Sequence, residues 1–275
     1  MKIGFDLFGS EKNNNIESTP VKGCFPEESD DPVRSVTRIY FPERGFACSY
    51  YNDRFNLKIG DLVFVDGKLE GRFGIVEEVN KNFKIKVSDY KRVIAKADTT
   101  VRGELFFGDN MLIAFDKSVI SYEKVRSWLL PPDEDDEEYI YQNDDVFFPL
   151  DVPRSFGATD ENIKGGIACF ENGNVACLCL DGKKIRAIVI GHNVYEVEFE
   201  YKNGEVGNFS CGCWCSGFCE HEVAAVLALK SSLEKIENEY VKEYEKSNYF
   251  AAVDRELFES RIIGRKRSGK ITISD

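Results

Sequence analysis

The chain has 275 residues, of which 43% are hydrophobic and 13% aromatic, so it can bury a sizeable core in one large or two modest domains. Its net charge of −12 argues against wholesale nucleic-acid binding, because surfaces that contact phosphates are usually basic. No apolar run approaches the roughly 18 residues that span a bilayer, and the N-terminus lacks a signal-peptide pattern. We therefore expect a cytoplasmic protein without membrane contact, whose nine cysteines are free thiols or metal ligands rather than disulfides.

The first part of the chain divides into a polar tail and a β-rich segment. Residues 1–33 hold few large apolar side chains and predict a mobile tail. Residues 34–130 predict a β-rich, barrel-like domain, because short alternating segments are separated by tight turns. The predicted strands are 36–41, 62–65, 74–79, 83–87, 92–95, 103–107 and 111–115, followed by a short helix over 122–130.

Two of these strands carry a family resemblance. Residues 60–65 and 71–76 resemble the KOW/SH3-like barrel pattern, in which a strand, a glycine turn and a second strand carry a Gly-x-Val-like step. The resemblance implies a small barrel that binds RNA, DNA or protein. Residues 34–103 have a net charge of +5, from 14 basic and 9 acidic residues, and basic side chains alternate with aromatic ones. Seven of these basic residues are candidate nucleic-acid contacts: Arg38, Arg44, Arg54, Lys84, Lys86, Lys91 and Arg92. The alternative is that they lie on an ordinary solvated face.

An acidic linker is predicted over 131–150, because two prolines are followed by six consecutive acids that cannot bury a core. A second domain is predicted over 151–275. Its expected elements are strands at 175–180, 185–190 and 194–201, a turn at 202–204, a long amphipathic helix from 221 to about 246, a short amphipathic piece at 250–262 and a basic tail.

The most informative feature is a cluster of four cysteines and one of the two histidines within eleven residues: Cys211, Cys213, Cys215, Cys219 and His221. Thiolate and neutral imidazole are the ligands of structural zinc, four at a time in a tetrahedron. A Cys-x-Cys pair can converge on one ion when the chain turns tightly between the two cysteines. Gly212 permits such a turn, because glycine tolerates positive φ. A Cys-x-His pair at a helix start can do likewise, near N–H groups that favour thiolates. Cys215 is surplus and could replace Cys211 or Cys213.

The order strand, Cys-x-Cys, spacer, Cys-x-His, Ala-rich helix resembles the SWIM zinc finger over roughly residues 160–235. The resemblance implies that Cys211, Cys213, Cys219 and His221 hold one Zn²⁺, and that the domain contacts DNA or protein rather than performing catalysis. It also implies a helicase-type ATPase as one kind of partner. Glu220 stands where lysine is common in the family, which weakens the case for DNA.

Charge bears on the choice of partner. Residues 196–245 contain eleven acids and four lysines, a net charge of −7, which would repel a phosphate backbone. The sequence therefore predicts an α+β protein, with a small N-terminal SH3/KOW-like β-barrel and a C-terminal SWIM domain of β-hairpin, zinc knuckle and long helix. We expect a non-enzymatic adaptor that binds nucleic acid or protein, with any nucleic-acid contact made through the barrel, and no small-molecule substrate. The alternative is a purely protein-binding module that partners a helicase-type ATPase and makes no direct contact with nucleic acid. Cys177 and Cys179 share one strand face and predict two buried thiols.

Overall fold

A computed structural model describes residues 2–6, 31–132, 146–151, 157–213, 215, 217–263 and 270–274. Its strands are β1 Lys2–Asp6, β2 Ser35–Phe41, β3 Phe46–Asn52, β4 Leu62–Val65, β5 Phe73–Asn80, β6 Val93–Lys96, β7 Gly103–Gly108, β8 Met111–Ala114, β9 Phe147–Pro149, β10 Val175–Asp181, β11 Lys184–Ile190, β12 Val194–Lys202, β13 Glu205–Cys211, β14 Tyr249–Asp254 and β15 Lys270–Ser274. Its α-helices are α1 Tyr122–Arg126, α2 Asp160–Glu171, α3 Glu220–Glu239, α4 Val241–Ser247 and α5 Arg255–Phe258.

The larger of two antiparallel sheets has ten strands in the order β15-β1-β7-β8-β14-β10-β11-β12-β13-β9. Strands β10 to β13 form consecutive hairpins, which confirms the three strands predicted at 175–201. The turn before β13 uses Asn203 and Gly204, both at positive φ (53° and 82°). Two such residues are typical of the type I′ turn, whose twist matches that of the paired strands.

Both faces of this sheet are covered. On one face, Leu178 and Leu180 pack with Ala225 and Leu229 of α3. On the other face, Cys177 lies in a cluster with Trp128 after α1, Phe258 of α5 and apolar residues of the smaller sheet. Because both faces are covered, β10 is buried from Val175 to Leu180 and reads as a continuous apolar run rather than an alternating one.

The smaller sheet has five strands in the order β3-β2-β5-β4-β6. A single bridge joins Tyr51 to Arg92, and the sheet does not close. The fold class α+β is therefore confirmed as mixed helix and antiparallel sheet, whereas the predicted barrel is an open sheet. The strand predicted at 83–87 is wrong. The exposure of its side chains alternates as expected, but no strand among the described residues pairs with it, and a 3₁₀ turn follows at Val87–Asp89.

The two sheets divide the chain differently from the predicted domains. β7 and β8 belong to the large sheet, so the change of sheet falls between Lys96 and Gly103, ahead of the acidic segment. Leu62 and Phe64 of the smaller sheet share a core cluster with Trp128 and Tyr249. Domain boundaries at 130 and 151 stay a prediction, because sheet membership alone does not define a folding unit. In the predicted tail and linker, residues 7–30 and 133–145 lie outside the described residues, as do 264–269 of the basic tail.

The helices agree with the sequence in part. The long predicted helix is present as α3 and α4, which meet at Tyr240, where φ −129° and ψ 23° interrupt the helix. The short helix expected at 122–130 is α1 followed by turns. Helix α2 was not predicted. The amphipathic piece expected at 250–262 is wrong in its first half, because Tyr249–Asp254 is the buried strand β14 between β8 and β10.

Candidate metal centre

The candidate ligands come from two elements that meet at the end of strand β13 in the large sheet. Strand β13 ends at Cys211, which pairs with Val197 of β12. The N–H of Gly212 then donates to the carbonyl of Glu196 at 3.0 Å, so the turn that leads to Cys213 remains attached to β12. The second pair lies at the start of α3, with Cys219 as the N-cap residue and His221 in the first turn.

The structure brings the four predicted ligands together. Three sulfur atoms and one imidazole nitrogen, from Cys211, Cys213, Cys219 and His221, all lie within 4.8 Å of one another. The Nδ1 atom of His221 is 3.9 Å from the Cys211 sulfur and 3.8 Å from the Cys219 sulfur. In a tetrahedron with Zn–S of about 2.3 Å and Zn–N of about 2.0–2.1 Å, the sulfur–nitrogen edge is about 3.6 Å. The cluster is therefore of a size that could hold a metal ion, with Nδ1 as the ligand nitrogen.

Burial differs across the centre. Cys219 is 3% exposed and His221 is 7% exposed, whereas Cys211 and Cys213 are half-buried. The imidazole is covered by the ring of Tyr195, which stacks on it at 4.0 Å between centroids with 28° between the planes. The helix side of the site is thus closed to water, while the Cys-x-Cys turn lies nearer the surface.

Backbone N–H groups favour thiolates at this site. The N–H of Cys215 donates to the Cys213 sulfur and the N–H of Glu222 donates to the Cys219 sulfur, and each bond lowers the pKa of that thiol. Without a cation, burial outweighs these bonds and raises the pKa of Cys213 to about 12. A hydrogen bond with Cys211, together with burial, raises the pKa of Cys219. A bound cation reverses this balance, because a coordinating thiol loses its proton.

Three supporting residues were not predicted from the sequence. The buried carboxylate of Glu222 accepts the N–H of Cys219 at 2.8 Å, and burial raises its pKa. Asn162 of α2 donates through Nδ2 to the carbonyl of Phe218 at 2.7 Å and so fixes the loop before Cys219. The third is Tyr195. The signal for Glu222 was present in the sequence, since an acid three residues after an N-cap residue is the capping-box pattern.

One expectation about the knuckle differs from the structure. The positive φ anticipated at Gly212 occurs instead at Gly217, with φ 101°, just before the second ligand pair. Cys215 is exposed and is not part of the cluster of four, although it contacts Cys213. Of the ligand alternatives left open by the sequence, the structure gathers the set that omits Cys215.

The seven candidate nucleic-acid residues all lie in the segment of the smaller sheet, and three of them are paired with acids. Arg38 lies 3.3 Å from Glu77, Lys86 lies 3.7 Å from Asp89, and Arg92 pairs with Asp53. The other four are exposed and form no ion pair with any residue that the structure describes: Arg44, Arg54, Lys84 and Lys91. The structure therefore does not assemble all seven into one free basic surface.

The second Cys-x-Cys pair consists of two buried thiols, as predicted. Cys177 and Cys179 are 0% and 1% exposed, with their sulfur atoms 3.7 Å apart on one face of β10. The hydroxyl of Tyr249 lies 3.7 Å from the Cys179 sulfur. The two thiols are part of the core between the sheets.

No family model, curated protein or solved structure matches the chain. Within the described residues, no helix is both long enough and apolar enough to cross a membrane.

Proposed function

We propose that this protein is a zinc-binding adaptor of the SWIM type, in which one Zn²⁺ held by Cys211, Cys213, Cys219 and His221 has a structural role. The observation that carries the proposal is the convergence of four ligand atoms from the end of β13 and the start of α3. Thiolate and imidazole together favour zinc over the hard cations Mg²⁺ and Ca²⁺. The order of strand, knuckle and helix is also that of the family which the sequence resembles.

The ligand set supports a structural rather than a catalytic ion. Catalytic zinc commonly has three protein ligands and keeps one position open for water or substrate. Here four protein ligands fill the tetrahedron, and the histidine side is covered by Tyr195. The role of the ion is then to join the β12–β13 hairpin to α3, and the adaptor acts by binding rather than by catalysis.

The charge around the centre favours a protein as the partner. Glu220 is exposed at the start of α3, with its carboxylate 3.9 Å from Nε2 of His221, and residues 196–245 contain eleven acids and four lysines. Such a surface repels phosphates and suits a partner with a basic face. We propose a helicase-type ATPase as the kind of partner, on the basis of the family resemblance.

Nucleic acid is the second candidate partner, through the smaller sheet. The observation in its favour is the set of four exposed basic residues that form no ion pair within the described residues, Arg44, Arg54, Lys84 and Lys91. Neutralised phosphates release counterions, so affinity should fall steeply with salt if these residues make phosphate contacts.

Two measurements test the proposal. Elemental analysis of the purified chain should find one zinc per molecule, and replacing Cys219 or His221 with alanine should abolish it. Binding to random DNA and RNA should then be titrated with salt, with a variant that carries glutamine at the four basic positions as the control. Absence of zinc would refute the metal site. Binding to neither nucleic acid at low salt would remove the second candidate and leave the protein partner.

A further inference from the structure

One segment of β12 contacts the candidate metal centre at three successive residues. Tyr195 stacks on the His221 ring, Glu196 accepts the Gly212 N–H through its carbonyl, and Val197 pairs with Cys211. The histidine and the Cys-x-Cys turn therefore rest on the same three residues of one strand. A change in the position of this strand would move ligands from both pairs.

The side chain of Glu196 connects this segment to α1. Its Oε1 atom accepts a hydrogen bond from the Tyr122 hydroxyl at 2.7 Å and another from Nε of Arg126 at 2.8 Å. Hydrogen bonds to an ionised carboxylate are stronger than those between neutral groups. Tyr122 is 5% exposed, so one of these donors lies in the core.

Helix α1 is itself firmly placed. The Arg186 guanidinium lies 4.5 Å above the Tyr122 ring and pairs with Glu123. Just after the helix, the fully buried Trp128 donates through Nε1 to the Asp98 carbonyl at 2.7 Å. Glu196 is therefore bonded to a helix that is held in place. Glu198 on the same strand instead pairs with Lys184 of the neighbouring strand, whose side chain is half-exposed.

We propose that Glu196, held by Tyr122 and Arg126, is a positioning residue of the metal centre, and that metal binding and the docking of α1 stabilise each other. This inference rests on the proposed function, since it requires that the cluster bind a metal. It follows from linkage: if docked α1 favours the ligand geometry, bound metal must favour docked α1 to the same extent. A metal centre in the last third of the chain would then stabilise a helix about 90 residues earlier.

The first test measures Zn²⁺ affinity of the full chain by competition with a chromophoric chelator. Glu196→Ala and Tyr122→Phe should weaken binding by on the order of tenfold, as loss of outer-shell partners does in other metal sites. Glu196→Gln should recover part of the loss, because its amide oxygen still accepts both hydrogen bonds. The control is Tyr240→Phe, which also removes a tyrosine hydroxyl, the donor to the Phe107 carbonyl at 3.2 Å. This control should bind Zn²⁺ within twofold of the wild type.

The second test follows hydrogen exchange at the amides of residues 125–130 with and without Zn²⁺. These amides bond within α1 and the turns after it, so they report whether the helix stays docked. Metal removal should speed their exchange in the wild type and should have little further effect in Glu196→Ala. If the wild-type chain binds no metal, the proposed function fails. If it binds metal, but the Glu196 and Tyr122 variants bind equally well and exchange is unchanged, the inference alone fails.

Discussion

The contact between α2 and α3 gives a sharp prediction at Gly166. A Cβ atom added there would lie 2.4 Å from Cβ of Val223 and 2.8 Å from the carbonyl oxygen of Glu220. Because carbon atoms pack at about 3.5–4.0 Å, the helices would have to separate by roughly 1 Å. Overpacking of this kind costs about 1–3 kcal/mol, and both opposing atoms are fixed by the α3 backbone. Alanine also favours the helix over glycine by about 1 kcal/mol, so Gly166→Ala should lose a net of about 0–2 kcal/mol.

The assay is urea unfolding of the variant, compared with Ala168→Gly as a calibration. Ala168 is exposed on the same helix, so its replacement should cost about 1 kcal/mol through helix propensity alone. Gly166→Ala should also weaken metal binding, because Glu220 and Val223 flank His221 in the first turn of α3. A Gly166→Ala protein that is about 1 kcal/mol more stable than the wild type would refute this packing, since that gain is what propensity alone predicts.

Three further predictions concern single residues. Glu222→Ala should lose about 1 kcal/mol or more in urea unfolding, because it removes the acceptor of the Cys219 N–H at the start of α3; an unchanged midpoint would contradict the capping role. Gly217→Ala should destabilise the chain and weaken zinc binding, because φ at Gly217 is 101°. Gly212→Ala should be tolerated, because an added Cβ atom would have its nearest contact at 3.9 Å. Equal effects of the two variants would refute the assignment of the positive φ to Gly217. Burial raises the pKa of Tyr50 to about 12, above the unfolded value of about 10, so its contribution to stability is complete below pH 10 and is lost between pH 10 and 12. Alkaline unfolding of wild type and Tyr50→Phe checks this, and the variant should lose less stability over that range.

The metal cluster and its hairpins could be predicted from the sequence because their signals are local. The Cys-x-Cys and Cys-x-His pairs each span only three residues. Asn203-Gly204 specifies a turn because both residues readily adopt positive φ. The α3 pattern continues over five turns, so its period of 3.6 residues stands out. Each of these elements is determined by residues that are close together in the chain.

The remaining elements depend on partners that are distant in the chain. Helix α2 carries Gly165 and Gly166, which lower its helix propensity and are explained only by close contact with α3. Strand β14 is buried on both faces, so its residues show no alternation. Its neighbour β8 is about 140 residues earlier, as the pairing of Ala252 with Ile113 shows. No local pattern predicts such a pairing, and for the same reason the sequence missed the hydrogen bonds that link Glu196 to α1.

X-ray absorption spectroscopy at the zinc edge of the purified 275-residue chain tests the central claim most directly. The proposed site predicts one zinc per chain, with three sulfur neighbours at about 2.3 Å and one nitrogen neighbour at about 2.0–2.1 Å. His221→Ala should contain no zinc. A folded wild-type protein that contains no metal, or one whose metal has only oxygen and nitrogen neighbours, would contradict the account.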